Sequence, residues 1–217
     1  TVKPDSGYVL ETLTVTDKRT GQVYTGLNRF MDSGETGCGF IHSAPYSDSY
    51  AVSAGTNLTV DITENTPLRG EITVGQDFMV PKGLSASTLA RSDEKTAVHI
   101  TTRVILRAGQ PYVELETDVD NTARDHRLRV AFPSDVTADA GYAGQPFDVI
   151  TRPVQPENVN HLDDGDYEPF VGYHPMNDFC GIADDKRGVT VAGDGFMEYE
   201  ILPMRNTVTV TLLRATD

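Results

Sequence analysis

The clearest pattern along the chain is alternation with a period of two, and it is sharpest between Tyr112 and Pro133 (YVELETDVDNTARDHRLRVAFP). Val113, Leu115, Thr117 and Val119 fall on one side of a predicted strand, and Tyr112, Glu114, Glu116 and Asp118 on the other. A second predicted strand sets Leu128, Val130 and Phe132 against Arg127, Arg129 and Ala131. Asp120, Asn121 and Thr122 between them are turn formers, so the stretch predicts a hairpin. Paired in this way, the acidic face of one strand would meet the basic face of the other. Cross-strand pairs contribute about 0.2–1 kcal/mol each, against about 1.5–3 kcal/mol for burying a Leu, Val or Phe. The apolar faces should therefore anchor the hairpin and the charges fix its register.

The same alternation, broken by Gly, Pro, Asn and Asp clusters, recurs elsewhere. It predicts strands at Tyr8–Thr16, Gln22–Leu27, Asn57–Asn65, Leu68–Val74, Ser87–Arg91, Ala97–Leu106, Phe147–Thr151, Gly188–Ala192, Met197–Leu202 and Thr207–Leu213. Val136–Gly144, mostly small residues, reads as irregular. No amphipathic helix of any length is found. Many short strands at close spacing predict an all-β sandwich or barrel, taken as a single domain over residues 1–217. Val2–Asp5 looks like a strand already under way, so the expectation is that the chain opens inside or just before a domain.

Phe30–Tyr50 (FMDSGETGCGFIHSAPYSDSY) has no period. Glycines at 34, 37 and 39, with four aromatics, predict a long structured loop, a kind of segment that is commonly functional or interfacial. Its aromatics and His42 suit a sugar; equally, Phe30, Phe40 and Tyr46 could simply pin the loop to a sheet.

Charge and composition narrow the chemistry. The net charge of −14, from 18 basic and 32 acidic residues, disfavours binding to nucleic acid. No apolar run is long enough to predict a membrane helix. Only Cys38 and Cys180 are present, which predicts free thiols in a reducing compartment, the cytoplasm, with a single disulfide between them as the alternative. Phosphate-binding loops, nucleophile elbows and zinc-binding motifs are missing. The cluster Asp163, Asp164, Asp166 and Glu168 lacks the order of a calcium loop and reads as solvated. His99 and His126 read as hydrogen-bonded structural residues. Glu114, Glu116 and Asp118, beside Arg127 and Arg129, read as salt-bridged and unsuited to acid catalysis. His174 and Cys180 could meet in space, though nothing in the sequence requires it.

The run Asn121–Pro133 (NTARDHRLRVAFP) is similar to the N-x-x-x-DHRLR-x-x-F signature of the carboxy-terminal β-domain of family 38 glycoside hydrolases, the α-mannosidases. Further likeness is carried by Leu13–Leu27, by Gly144–Pro153, by Phe179–Tyr199 and by Val208–Arg214. Asn28–Asp48 resembles the family's D-x-G-D-x-G-x-G-x-x-H-x-x-P-x-x-D pattern, with Glu35 where the pattern has its second aspartate. The resemblance implies an antiparallel supersandwich of the galactose-mutarotase-like kind with no substantial helix. It also implies an accessory β-domain of a retaining, zinc-dependent enzyme. Zinc and both catalytic carboxylates would belong to an amino-terminal catalytic domain, the partner of this one, leaving no catalytic, metal or cofactor role here. An α-mannoside would be the substrate of the whole enzyme, and Phe40, His42, Tyr46 and Asp48 are the candidates to lie near it. Two other readings stay open. One is a stand-alone carbohydrate-binding module, weakened by the lack of Trp. The other is a mutarotase-type epimerase using His99 or His126 with Glu114 or Glu116.

Overall fold

The computed structural model describes residues 13–40, 42–52, 56–87, 90–155 and 172–216. The predicted strand before Leu13 and the acidic cluster Asp163–Glu168 lie outside them. Strands follow in chain order as β1 (Leu13–Thr16), β2 (Val23–Leu27), β3 (Arg29–Gly34), β4 (Ala51–Val52), β5 (Thr56–Asn65), β6 (Arg69–Pro81), β7 (Lys95–Arg107) and β8 (Glu114–Asp120). Then come β9 (His126–Pro133), β10 (Ala140–Gln145), β11 (Asp148–Pro153), β12 (Tyr173–Pro175), β13 (Phe179–Ala183), β14 (Gly188–Ala192), β15 (Glu198–Leu202) and β16 (Thr207–Ala215). One 3-10 turn, Met204–Asn206, is the helical element among the described residues. The fold is all-β and built of antiparallel sheets, as the alternation predicts.

Backbone proximity divides the chain into two compact units, one of Leu13–Arg29 with Arg129–Leu213, the other of Phe30–Leu128 with Arg214–Asp217. In the second unit, β5, β6, β7 and β8 form a four-stranded sheet in that order. Register puts Val60, Val74, Thr102 and Thr117 in one cross-strand row, and Ile62, Ile72, Val104 and Leu115 in the next. This face carries Phe78, Val80, Val98 and Ile100 into the unit's core, where all four are buried. The opposite face bears the charges. Arg103 stands directly across from Glu116 and pairs with it, and Arg107 reaches Glu114 at 2.7 Å. Arg69 faces Arg107 across the sheet, a like-charge placement relieved by Glu64 and Glu71 on either side of Arg69.

This pairing corrects the expected hairpin. The acidic strand β8 pairs with β7. Its glutamates meet Arg103 and Arg107 rather than Arg127 and Arg129, so the acidic face is already satisfied one strand earlier. Asn121 then leads the chain away: its side chain bonds the N–H and C=O of Ala123, both at 3.1 Å, and Thr122 bonds the Ala97 carbonyl. β9 is buried along its whole length. Of the expected strand Ser87–Arg91, Ala90 and Arg91 each form an isolated bridge, and residues 88–89 lie outside the described residues.

In the first unit, β11, β10, β13 and β14 form one sheet, β12, β15 and β16 lie side by side, and β1 pairs with β2. Its buried residues include Val130, Phe132, Ala143, Cys180, Ile182, Tyr199, Val208 and Val210. Arg129 on β9 meets Glu200 on β15 at 2.5 Å. The small-residue stretch expected to be irregular contains β10. A Cβ at Gly141 would overlap Ile201 and come within 2.9 Å of the Gly181 carbonyl, so the small residues there serve close packing.

The two faces of the β5–β8 sheet should respond differently to truncation. Ile100→Ala removes a fully buried side chain and is expected to cost about 2–5 kcal/mol in urea unfolding. Arg103→Ala removes a half-exposed ion pair, for which under about 1 kcal/mol is expected.

Candidate functional site

The Phe30–Tyr50 segment begins as strand. Phe30 on β3 is fully buried, and β4 pairs back onto β3 through Met31–Val52 and Asp32–Ala51. The loop between Gly34 and Ala51 thus leaves and returns at one place, the geometry of an Ω-loop. It is fastened at its neck. Gly34 N–H donates to both carboxylate oxygens of Asp48, at 3.0 and 3.1 Å. Any side chain at 34 would meet Pro45, whose Cγ lies 2.7 Å from the position of a Cβ. Glycine is required there for close approach, not for an unusual dihedral.

Glu35 is the second fastening. It is 1 % exposed, yet its carboxylate accepts from four donors. Gly37 N–H (2.8 Å) and Ser43 N–H (3.0 Å) reach Oε1, while His42 Nδ1 (2.7 Å) and Arg214 Nε (2.8 Å) reach Oε2. A carboxylate only accepts, so Nδ1 of His42 carries the hydrogen. Arg214 also donates through Nη2 to the Cys38 carbonyl at 2.7 Å. Glu35's own N–H donates to the Asp125 carbonyl at 2.9 Å. Burial alone would raise the Glu35 carboxyl from its ordinary 4.5. The bonds from His42, Arg214, Ser43 and Gly37 outweigh that and hold it at about 2.

A third cluster lies beneath. Asp32, fully buried, places Oδ1 at 2.6 Å from His126 Nδ1 and Oδ2 at 2.5 Å from Arg91 Nη1. His126 Nε2 lies 2.9 Å from Asn121 Oδ1, the same oxygen that accepts from Ala123 N–H. Both ring nitrogens therefore lie within hydrogen-bond distance of a side-chain oxygen. Arg91 Nη1 reaches the Ser49 carbonyl at 3.3 Å, tying this cluster to the far end of the loop.

Above these fastenings the aromatics point outward. Phe40 is 95 % exposed and Tyr46 94 %, so neither pins the loop; of the three aromatics that could have done so, Phe30 alone is buried. Of the four sequence candidates, Phe40 and Tyr46 present free faces, whereas His42 and Asp48 are engaged in holding the loop's shape. Arg214, Arg91 and Asp32 were not among those candidates. Asp32, Gly34, Glu35, Gly37, His42, Pro45 and Asp48 all stand in the spaced pattern, which marked the positions without giving their roles. Arg214 ends the Val208–Arg214 stretch of family likeness, which assigned it no role.

The epimerase pairs do not form. His126 is taken by Asp32 and Asn121, His99 by Asp77 at 2.8 Å, Glu114 by Arg107 and Glu116 by Arg103. In the first unit, His174 packs against the Tyr199 ring with centroids 5.9 Å apart, beside a cavity of about 430 Å³ that Arg152 and Glu200 also line. Cys180 is a buried thiol whose burial pushes its pKa up to about 12, far from nucleophilic. Among the described residues no group of three or more His, Cys, Asp or Glu side chains could hold a metal ion.

Glu35 should leave a mark in the pH dependence of stability. Its folded-state pKa is depressed, so its contribution is complete above about 4.5 and is lost as pH falls through about 2. Urea midpoints measured between pH 6 and 2 should fall less steeply in Glu35→Gln than in the parent chain.

Comparison with known proteins agrees with this architecture. The family described as glycosyl hydrolases family 38 C-terminal domain matches residues 1–217. The putative mannosylglycerate hydrolase of Halalkalibacterium halodurans is 26 % identical over 215 residues, covering 93 % of this chain and 23 % of that protein. The crystal structure of an α-mannosidase from Enterococcus faecalis V583 superposes with a TM-score of 0.83 at 28 % identity, over 99 % of this chain and 25 % of that one. A second E. faecalis structure, of a protein in glycosyl hydrolase family 38, gives 0.81 at 28 % identity, with the same coverage. The chain therefore spans about a quarter of the length of these relatives. Matched along its entire length, it belongs to the family of glycosyl hydrolase family 38 C-terminal domains.

Proposed function

We propose that this chain is the accessory β-region of a retaining, zinc-dependent α-mannosidase, where it braces the catalytic region and flanks the sugar site with the Phe30–Tyr50 loop. The observation that carries this reading is the family match over the whole chain at only a quarter of the relatives' length. The chemistry of the chain agrees with it. Glycoside hydrolysis by retention needs two carboxyl groups about 5–5.5 Å apart across the scissile bond. The carboxylates of the loop, Asp32, Glu35 and Asp48, are instead committed to hydrogen bonds that hold structure. Zinc, with the nucleophile and the acid, would lie in the catalytic region.

What this chain would contribute is a wall. Phe40 and Tyr46 stand exposed on a loop with a fixed neck, and an aromatic face suits the C–H surface of a pyranose. His42 and Asp48 act indirectly, by holding that loop in place. The cellular setting is the cytoplasm of a bacterium, which suits a chain whose buried Cys180 remains a thiol. The same exposed aromatics would serve a stand-alone carbohydrate-binding module, the second reading.

An aryl α-mannoside assay separates these readings. The 217-residue chain should show no turnover with or without zinc, and the product of the complete reading frame should show turnover that a chelator abolishes. Turnover by the chain alone would overturn the accessory role. Calorimetry showing mannan binding by the isolated chain, with no catalytic region encoded beside it, would favour the binding module.

A further inference from the structure

Glu35 and Arg214 form a latch that the accessory role does not by itself require. Glu35 is buried, and its carboxylate gathers donors from both limbs of the loop, Gly37 on one side and His42 and Ser43 on the other. The fourth donor, Arg214, comes from β16, 179 residues further along the chain. The same guanidinium grips the Cys38 carbonyl, two residues before Phe40. The loop is thus held from outside itself, immediately below its exposed aromatic tip. A loop needing only internal order would be closed by the Gly37, His42 and Ser43 bonds alone.

We propose that Glu35 and Arg214 are positioning residues for substrate affinity, fixing the placement of Phe40 against the sugar. This rests on the reading that the loop flanks the sugar site. Neither residue touches the reacting atoms. Arg214 fits the task because its planar fork binds two acceptors at once, the Glu35 carboxylate and the Cys38 carbonyl, which a lysine ammonium cannot match in fixed geometry.

The test uses the product of the complete reading frame with an aryl α-mannoside, comparing Arg214→Met, Arg214→Lys, Glu35→Gln and the double variant Glu35→Gln/Arg214→Met. A positioning role predicts KM raised about tenfold in Arg214→Met with kcat within about twofold, a smaller rise in Arg214→Lys, and a double variant no worse than the worse single one. A merely structural role would lower the melting temperature and the active fraction while leaving KM in place, and that result would overturn the proposal. Should Glu35→Gln fail to fold, Arg214→Met and Arg214→Lys decide alone, since Arg214 is partly exposed. Alkylation of Cys38 provides a readout apart from activity, with Cys180 too buried to react. Release of the latch predicts a severalfold faster reaction in Arg214→Met, and an unchanged rate counts against the latch. Phe40→Ala and Tyr46→Ala separate the two levels. If they raise KM and the latch variants do not, the latch inference falls alone; if they too leave KM unchanged, the loop does not face the sugar and both readings fall.

Discussion

A carboxylate taken out of water is tolerated only where donors surround it. The Phe30–Tyr50 loop is laid out around two such groups. Asp32 sits between His126 and Arg91, and Glu35 is ringed by two backbone N–H groups, an imidazole and a guanidinium. These requirements explain the loop's composition better than any contact at its surface. Gly34 is small because Pro45 and Asp48 lie against it, Gly37 offers a backbone donor, and His42 closes the ring around Glu35. With the buried groups satisfied below, Phe40 and Tyr46 are left facing outward.

The same economy of partners governs the β5–β8 sheet. On one face β6 and β7 send Phe78, Val80, Val98 and Ile100 into the core, while arginines and glutamates on the other face answer each other across the strands. The apolar side supplies most of the stabilisation and the charged side selects the register. Arg129 follows the buried rule rather than the surface one: on a buried strand, it meets Glu200 within its own unit.

Much of this was legible in the alternation. The strands β2, β5, β7, β11, β14, β15 and β16 fall where a period of two places them, because a side chain's face is decided locally. Which strand lies beside which is a different question, since partners are chosen at long range. Glu114 and Glu116 could be satisfied by Arg127 and Arg129 or by Arg107 and Arg103, and the sequence contains both sets. β10 was obscured because Ala140, Gly141, Ala143 and Gly144 give no periodic apolar signal, although their smallness is what the packing demands. In the DHRLR run the family likeness marked the right residues without revealing their partners. Asp125 receives the Glu35 N–H and His126 binds Asp32. Both partners come from a segment about ninety residues earlier, as the separation of 94 between His126 and Asp32 records.

The distance in sequence between Glu35 and Arg214 also bears on the order of events in folding. The hairpins of the β5–β8 sheet close over short stretches of chain and can form early. The ring around Glu35 is incomplete until β16 delivers its arginine across a separation of 179 residues, and contacts of such span are slow to be made. The aromatic tip is accordingly among the last parts of the unit to reach its final form, and until then a carboxylate bound for the interior remains wet.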